Sequence, residues 1–228
     1  MSIGIKISLN PKLYLRDPQE TPLGQKIIKN SILLIDEIGF ESFTFKKLAG
    51  KIKSTEASIY RYFENKHLLL IYLVSWYWEW LSYLIDINTL NIESSRKKLN
   101  IIIDTLVEAY RENPAIEYVN ESILQRLVIA EGAKAYHTKA VDKDNKDGFF
   151  INFKELSEKI AKVIEEVDPQ FKYPHALASN LIEMANNHSF FAVHLPRLTD
   201  IKISDEDYSP VKEMLCHFVS KLLNNEKP

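Results

Sequence analysis

The sequence predicts an all-α protein: a three-helix N-terminal head followed by a larger helical domain. Apolar residues recur at spacings of three and four through most of the 228 residues, and no stretch alternates convincingly with period two. Capping residues and prolines bracket these runs. Only 6 glycines are present, too few for a β-rich chain or a glycine-loop nucleotide binder.

Residues 1–20 have mixed character with Pro11 and Pro18, and read as an arm with little regular structure. The first helix is expected over Pro22–Ile38. Thr21 caps it, Pro22 takes the first helical position and Gly39 follows its end. Ile27, Ser31, Leu34 and Ile38 share one face, and Phe40 and Phe43 fill the space beneath the next helix. Two short helices follow, Phe45–Ile52 capped by Thr44 and Glu56–Phe63 capped by Thr55. Their inward positions are Leu48, Ala49, Ile52, Ile59 and Phe63, and the small Ala49 allows close approach. Asn65 caps the fourth helix, with Lys66 in its first turn.

That helix contains Leu68–Ile85, 18 residues with one charge, Glu79, and has the length and apolarity of a marginal membrane span. It follows a polar helical pair without a linker, and Ser75, Glu79 and Ser82 lie on one face. A helix buried nearly all round is therefore expected, and no membrane association. Further helices are predicted over Ser95–Asn113, Ala115–Ala135, Asn152–Val167, Pro174–Leu195 and Asp205–Asn224, with a polar connection at 136–150.

The lone Cys216 excludes internal disulfides and cysteine-rich zinc sites and fits a reducing cytoplasm. No signal peptide is visible, since Lys6 interrupts a short apolar run. Net charge is −2 but unevenly spread. Residues 23–67 carry 8 basic and 5 acidic side chains, and residues 68–228 carry 18 and 24. Positive charge thus accompanies the short helical pair, where phosphates would need it.

The stretch Phe43–Leu69, FTFKKLAGKIKSTEASIYRYFENKHLL, is the most specific in the chain. Its second helix places Ser58, Tyr60, Arg61 and Tyr62 within one and a half turns, a density of hydroxyls, aromatics and guanidinium suited to a helix laid against duplex DNA. Arg61 is the strongest candidate for a base or phosphate contact, and Ala57 and Ser58 would face the groove floor. Thr44 and Thr55 are helix caps whose hydroxyls can also reach phosphate. Lys46 and Lys47 read equally as solvated charge or phosphate contacts. The arm at 1–20 reads either as a basic arm tracking a groove or as an ordinary disordered terminus.

The order of these features resembles the TetR family of bacterial transcriptional regulators. Gly39, Phe43 and Thr44 match its first junction, Leu48–Ala49 its Ile–Ala pair, Ile59–Tyr60 and Phe63 its recognition-helix signature, and Asn65–Lys66 with Leu68–Leu69 the opening of its fourth helix. The match covers about residues 22–70. The resemblance implies a helix-turn-helix DNA-binding domain at 21–67 and an effector-binding and dimerisation domain at 68–228. It implies a homodimer formed through the last two helices, a palindromic double-stranded operator and an unknown small-molecule effector. Lys66 would grip the DNA backbone. Two departures from the pattern stand out. Lys53 and Ser54 stand where the family has glycine and a small apolar residue, and Lys53 would carry strain of roughly 1 kcal/mol at positive φ, or reach a phosphate. Glu56 favours the helix dipole, repels phosphate, and can accept from a cytosine amino group.

In the larger domain Trp76, Trp80, Tyr83, Tyr110 and Gln125 are candidate effector-lining residues, with plain core as the competing reading. The run Asp142–Gly148 has calcium-loop composition but places lysines at ligand positions, and reads as a solvated loop. His175, His188, His194 and His217 lack metal-ligand spacing. No cofactor, metal site or enzymatic activity is expected. The function expected is a ligand-responsive regulator, most simply a repressor, with a protein-interaction module that has lost specific DNA binding as the alternative.

Overall fold

The computed structural model describes residues 6–108, 116–204 and 207–223, and every α-helix or 3-10 turn among them is joined by turns and loops, without a strand. The α-helices are α1 (Pro22–Ser42), α2 (Phe45–Lys51), α3 (Glu56–Tyr60), α4 (Lys66–Thr89), α5 (Ser95–Val107), α6 (Glu121–Glu131), α7 (Ala133–Tyr136), α8 (Val141–Lys146), α9 (Ile151–Val167), α10 (Pro174–His194) and α11 (Ser209–Leu223). The chain divides into two compact units, residues 1–80 with 110–153, and residues 81–109 with 154–228.

In the first unit, α1 starts where predicted: the Thr21 hydroxyl accepts from the Gly24 N–H at 3.0 Å. Gly24 is required for space, because a Cβ there would lie 2.2 Å from the Pro18 carbonyl oxygen. Regular helix geometry breaks at Gly39, whose φ of 73° suits glycine, and one further turn runs to Ser42. The Glu131 carboxylate accepts from the Phe40 N–H beyond the break at 3.0 Å. It thus does from α6 what an N-cap does from within the chain. Arg126, also on α6, donates to both carboxylate oxygens of Asp36, at 3.3 and 3.0 Å.

Residues 6–20, expected as an irregular arm, are packed instead. Two proline-led 3-10 turns, Pro11–Leu13 and Pro18–Glu20, are capped by Asn10 and Asp17. Ile7 and Leu13 are buried, and the Gln19 amide exchanges two hydrogen bonds with the Ile7 backbone, at 2.8 and 3.1 Å. Two buried aliphatic side chains supply roughly 3–6 kcal/mol of burial, enough to order a short segment that composition alone marks as loop.

α4 is longer than expected, and 78% of its most apolar 18-residue window is buried inside the protein. Its polar stripe finds partners: Ser75 donates to the Phe149 carbonyl at 3.2 Å, and Glu79 accepts from Asn152 at 2.8 Å. The single helix expected over Ala115–Ala135 is replaced by α6, capped by Asn120, and the short α7. Residues 109–115 lie outside the described residues. The polar connection expected at 136–150 contains α8, and its solvated-loop reading fails at Asp144, which is buried beside His67 at 3.1 Å. Asp147 turns the other way, to the Lys12 ammonium at 2.9 Å, so the acidic run does not converge on a centre.

In the second unit α5 packs with α10 and α11. Leu99, Ile102, Ile103 and Leu106 meet a core that includes Leu181, Ile182, Val211 and Leu215. Lys212 of α11 pairs with Asp104 of α5. Lys159 donates to the Ser82 hydroxyl at 2.7 Å, which satisfies the last polar position of the α4 stripe. The helix expected over Asp205–Asn224 is seen as α11, with residues 205, 206 and 224 outside the described set.

Candidate nucleic-acid interface

The head is organised by threonine caps and an aromatic floor. Thr44 accepts from the Lys47 N–H at 3.2 Å and Thr55 from the Ser58 N–H at 3.3 Å, so both do act as caps. Phe43, Phe45, Leu48, Ala49, Ile52, Ile59 and Phe63 are buried. Between the helices Lys53 sits at φ 53°, the left-handed conformation foreseen for it, and the Ser54 N–H reaches back to the Ala49 carbonyl at 2.9 Å. The turn is closed by backbone bonds that need that φ, so the lysine bears a strain that glycine would not.

The outward surface of α2 and α3 carries Lys46, Lys47, Lys53, Thr55, Ala57, Tyr60 and Arg61 exposed, with Glu56 and Ser58 half-buried. Tyr60 is 47% exposed and rests edge-on against Phe45 at 5.0 Å between ring centroids, which holds its hydroxyl end toward solvent. The Lys47 ammonium donates to the Ser42 carbonyl at 2.7 Å. Lys46, Lys53, Glu56 and Arg61 form no ion pair among the described residues.

Two residues expected at this surface are engaged elsewhere. Tyr62 is only 2% exposed, and its hydroxyl hydrogen-bonds that of Thr21 at 2.8 Å. It falls three residues after Ile59 and one before Phe63, on the inward face, and is a core residue. Lys66 sends its ammonium to the carbonyls of Phe40, Glu41 and Phe43, at 3.1, 3.2 and 3.3 Å, and over the Phe40 ring at 4.7 Å. It ties the start of α4 to the end of α1, and the phosphate grip foreseen for it gives way to that role.

The effector candidates are dispersed. Trp76 and Trp80 are 1% exposed and stacked at 5.9 Å in the first unit, where Gln125 is buried beside the Tyr77 hydroxyl. Tyr83 is half-buried in the second unit, and Tyr110 lies outside the described residues. Sequence reasoning passed over the polar atoms buried around these tryptophans. Tyr118 donates to the Gln19 side chain at 3.1 Å, and burial pushes its hydroxyl pKa up to about 12. Burial likewise raises Tyr72 and Tyr77, so all three stay neutral donors at physiological pH. Nothing in the spacing of these residues announces the cluster, because Gln19 comes from the N-terminal segment and Tyr118 from the stretch before α6.

The family model of bacterial regulatory proteins of the tetR family matches residues 27–73. No curated protein matches the sequence significantly. Several solved structures share the fold. AibR in complex with isovaleryl coenzyme A and operator DNA is 13% identical, with 87% of this chain and 98% of that one covered at a TM-score of 0.57. A transcriptional regulator from Rhodococcus sp. Rha1 is 11% identical, covering 91% and 96% at 0.63. The superantigen PfiT is 12% identical, covering 92% and 100% at 0.61. Residues 27–73 thus match the head of the tetR family of bacterial regulatory proteins, and the all-helical fold of the chain is shared with these solved structures.

Proposed function

We propose that this chain is a cytoplasmic, ligand-responsive repressor that binds a palindromic operator as a homodimer and is released by a small-molecule effector. One observation carries the DNA-binding part. The outward surface of α2 and α3 presents Lys46, Lys53 and Arg61, which have no acidic partners among the described residues, around the small Ala57 and the projecting Tyr60. Such a surface neutralises phosphates while admitting close approach to the groove floor. Residues 21–67 are assigned to DNA binding and 68–228 to effector binding and dimerisation. AibR, with its coenzyme A ligand and operator, supports a fold that serves both tasks.

An apolar groove of about 440 Å³ between α10 and α11 supports pairing through those helices. Tyr173, Met184, Phe218 and Leu222 line it, and Tyr173, Phe218 and Leu222 are exposed large apolar side chains in the single chain. A second copy would cover them. In the dimer, two recognition helices separated by about 34–36 Å would enter successive major grooves. An effector that favours another spacing would release them. Trp76, Trp80 and Gln125 remain the nominated effector-side residues in the first unit. The chain acts by binding, with no residue nominated for catalysis.

A second reading has one observation in its favour: PfiT, a superantigen, shares the fold. On that reading the chain is a protein-interaction module without specific DNA binding. Selection of duplexes from a random library by the purified protein separates the two. A recovered palindrome whose affinity falls steeply with salt supports the repressor. A folded protein that enriches nothing supports the interaction module.

A further inference from the structure

We propose that Arg16, far outside the helix-turn-helix, is a DNA phosphate contact carried to the end of the recognition helix by the folded N-terminal segment. The inference rests on the operator-binding reading above and extends its interface beyond residues 27–73.

The segment docks on Tyr62, the residue after Arg61. The Leu15 N–H donates to the Tyr62 carbonyl at 2.8 Å. Thr21 and Tyr62 share a hydroxyl bond, also of 2.8 Å. These bonds fall on either side of Arg16, and its guanidinium carbon lies 5.6 Å from the centre of the Tyr62 ring. Buried Leu13 and Pro18 anchor the chain on both flanks. Arg16 is therefore displayed from a fixed backbone.

Charge bookkeeping within the segment singles it out. Lys6 is neutralised by Asp17 and Glu20, at 3.0 and 2.8 Å, and Lys12 by Asp147 at 2.9 Å. Arg16 is exposed and makes no ion pair among the described residues. Arg61, the residue before Tyr62, is likewise exposed and makes no ion pair among the described residues. A guanidinium resting on an aromatic ring keeps its N–H edge free and loses less freedom on meeting an anion than a solvated lysine does. Phosphates line the rims of the groove that a recognition helix enters. A cation at the end of that helix meets phosphate, whereas those along its face meet base edges.

The test compares wild type, Arg16→Gln, Arg16→Lys and Arg61→Gln on the duplex that the wild-type protein selects and on scrambled versions of it, over a salt series. Arg16→Gln is expected to weaken binding by a similar factor on every sequence and to lower the slope of log affinity against log salt by about one per bound subunit. Arg16→Lys should keep the slope. An unchanged slope for Arg16→Gln overturns the proposal, whether affinity holds or falls, because a fall alone would mean that Arg16 acts through its packing on Tyr62. Lost preference at a single base pair overturns it too. If Arg61→Gln alters binding while Arg16→Gln does not, only this proposal fails. If the wild type shows no salt-dependent affinity for any duplex, the operator reading itself fails. Melting temperature of each variant separates lost contacts from lost fold, and should be unchanged for the exposed Arg16.

Discussion

Tyr60 and Tyr62 show how much one helical position decides. They are two residues apart, the last of α3 and the second of the turn that follows, and one projects to solvent while the other is locked to Thr21. Tyr62→Phe should cost about 1 kcal/mol of stability through the lost hydroxyl bond, seen as a lower denaturant midpoint, and leave the salt slope of DNA binding unchanged. Lys53→Gly is a test of opposite design. It relieves roughly 1 kcal/mol of left-handed strain but adds about 0.5–1 kcal/mol of chain entropy to be lost on folding. The denaturant midpoint should therefore barely move, while DNA affinity falls if the lysine's charge is what the position keeps. A carboxylate such as that of Glu56 accepts hydrogen bonds, and major-groove donors are the amino groups of cytosine and adenine. Glu56→Gln should move the preference at one operator position toward adenine in a repeated duplex selection, and an unaltered consensus would exclude Glu56 from base reading.

At the level of elements, caps and periodicity were readable and cross-chain partners were not. Thr21, Thr44 and Thr55 start their helices, and Gly39 marks the break, because each acts on its own backbone within a few residues. Tyr62 was also decidable from its spacing to Ile59 and Phe63, but the chemistry of a tyrosine beside an arginine outweighed the geometry. By contrast, the Phe40 N–H is satisfied by a carboxylate 91 positions later, and the N-terminal segment is ordered by Tyr62 and Asp147. No local pattern encodes such partners. The same holds for α8, a helix because its run of aspartates and lysines is tied down through Asp144 and Asp147. Glu131→Ala removes the acceptor for Phe40 and a 2.7 Å partner of Lys134. It should destabilise the protein by about 1–3 kcal/mol, measured by chemical denaturation, and should loosen amide exchange at Phe40 ahead of the rest of α1.

For the whole molecule, the exposed apolar surface of α10 and α11 makes the oligomeric state testable. Phe218 and Leu222 are 40% and 51% exposed in the single chain. On the proposed pairing through α10 and α11, replacing both with aspartate should leave helix content intact and give monomers in a sedimentation experiment where the wild type gives dimers. Such a monomer should also lose most of its affinity for a two-half-site duplex, since each head would then bind alone.

The clustering of tryptophan has a spectroscopic consequence. The protein has three, Trp76, Trp78 and Trp80, all within five residues of α4 and all at least 97% buried. Its intrinsic fluorescence is therefore the emission of one helix, blue-shifted by an apolar setting, with Trp76 and Trp80 stacked closely enough to exchange excitation. Any molecule that displaces or repacks α4 will announce itself in that emission without a label, which makes a fluorimeter and a chemical library a direct test for the proposed effector.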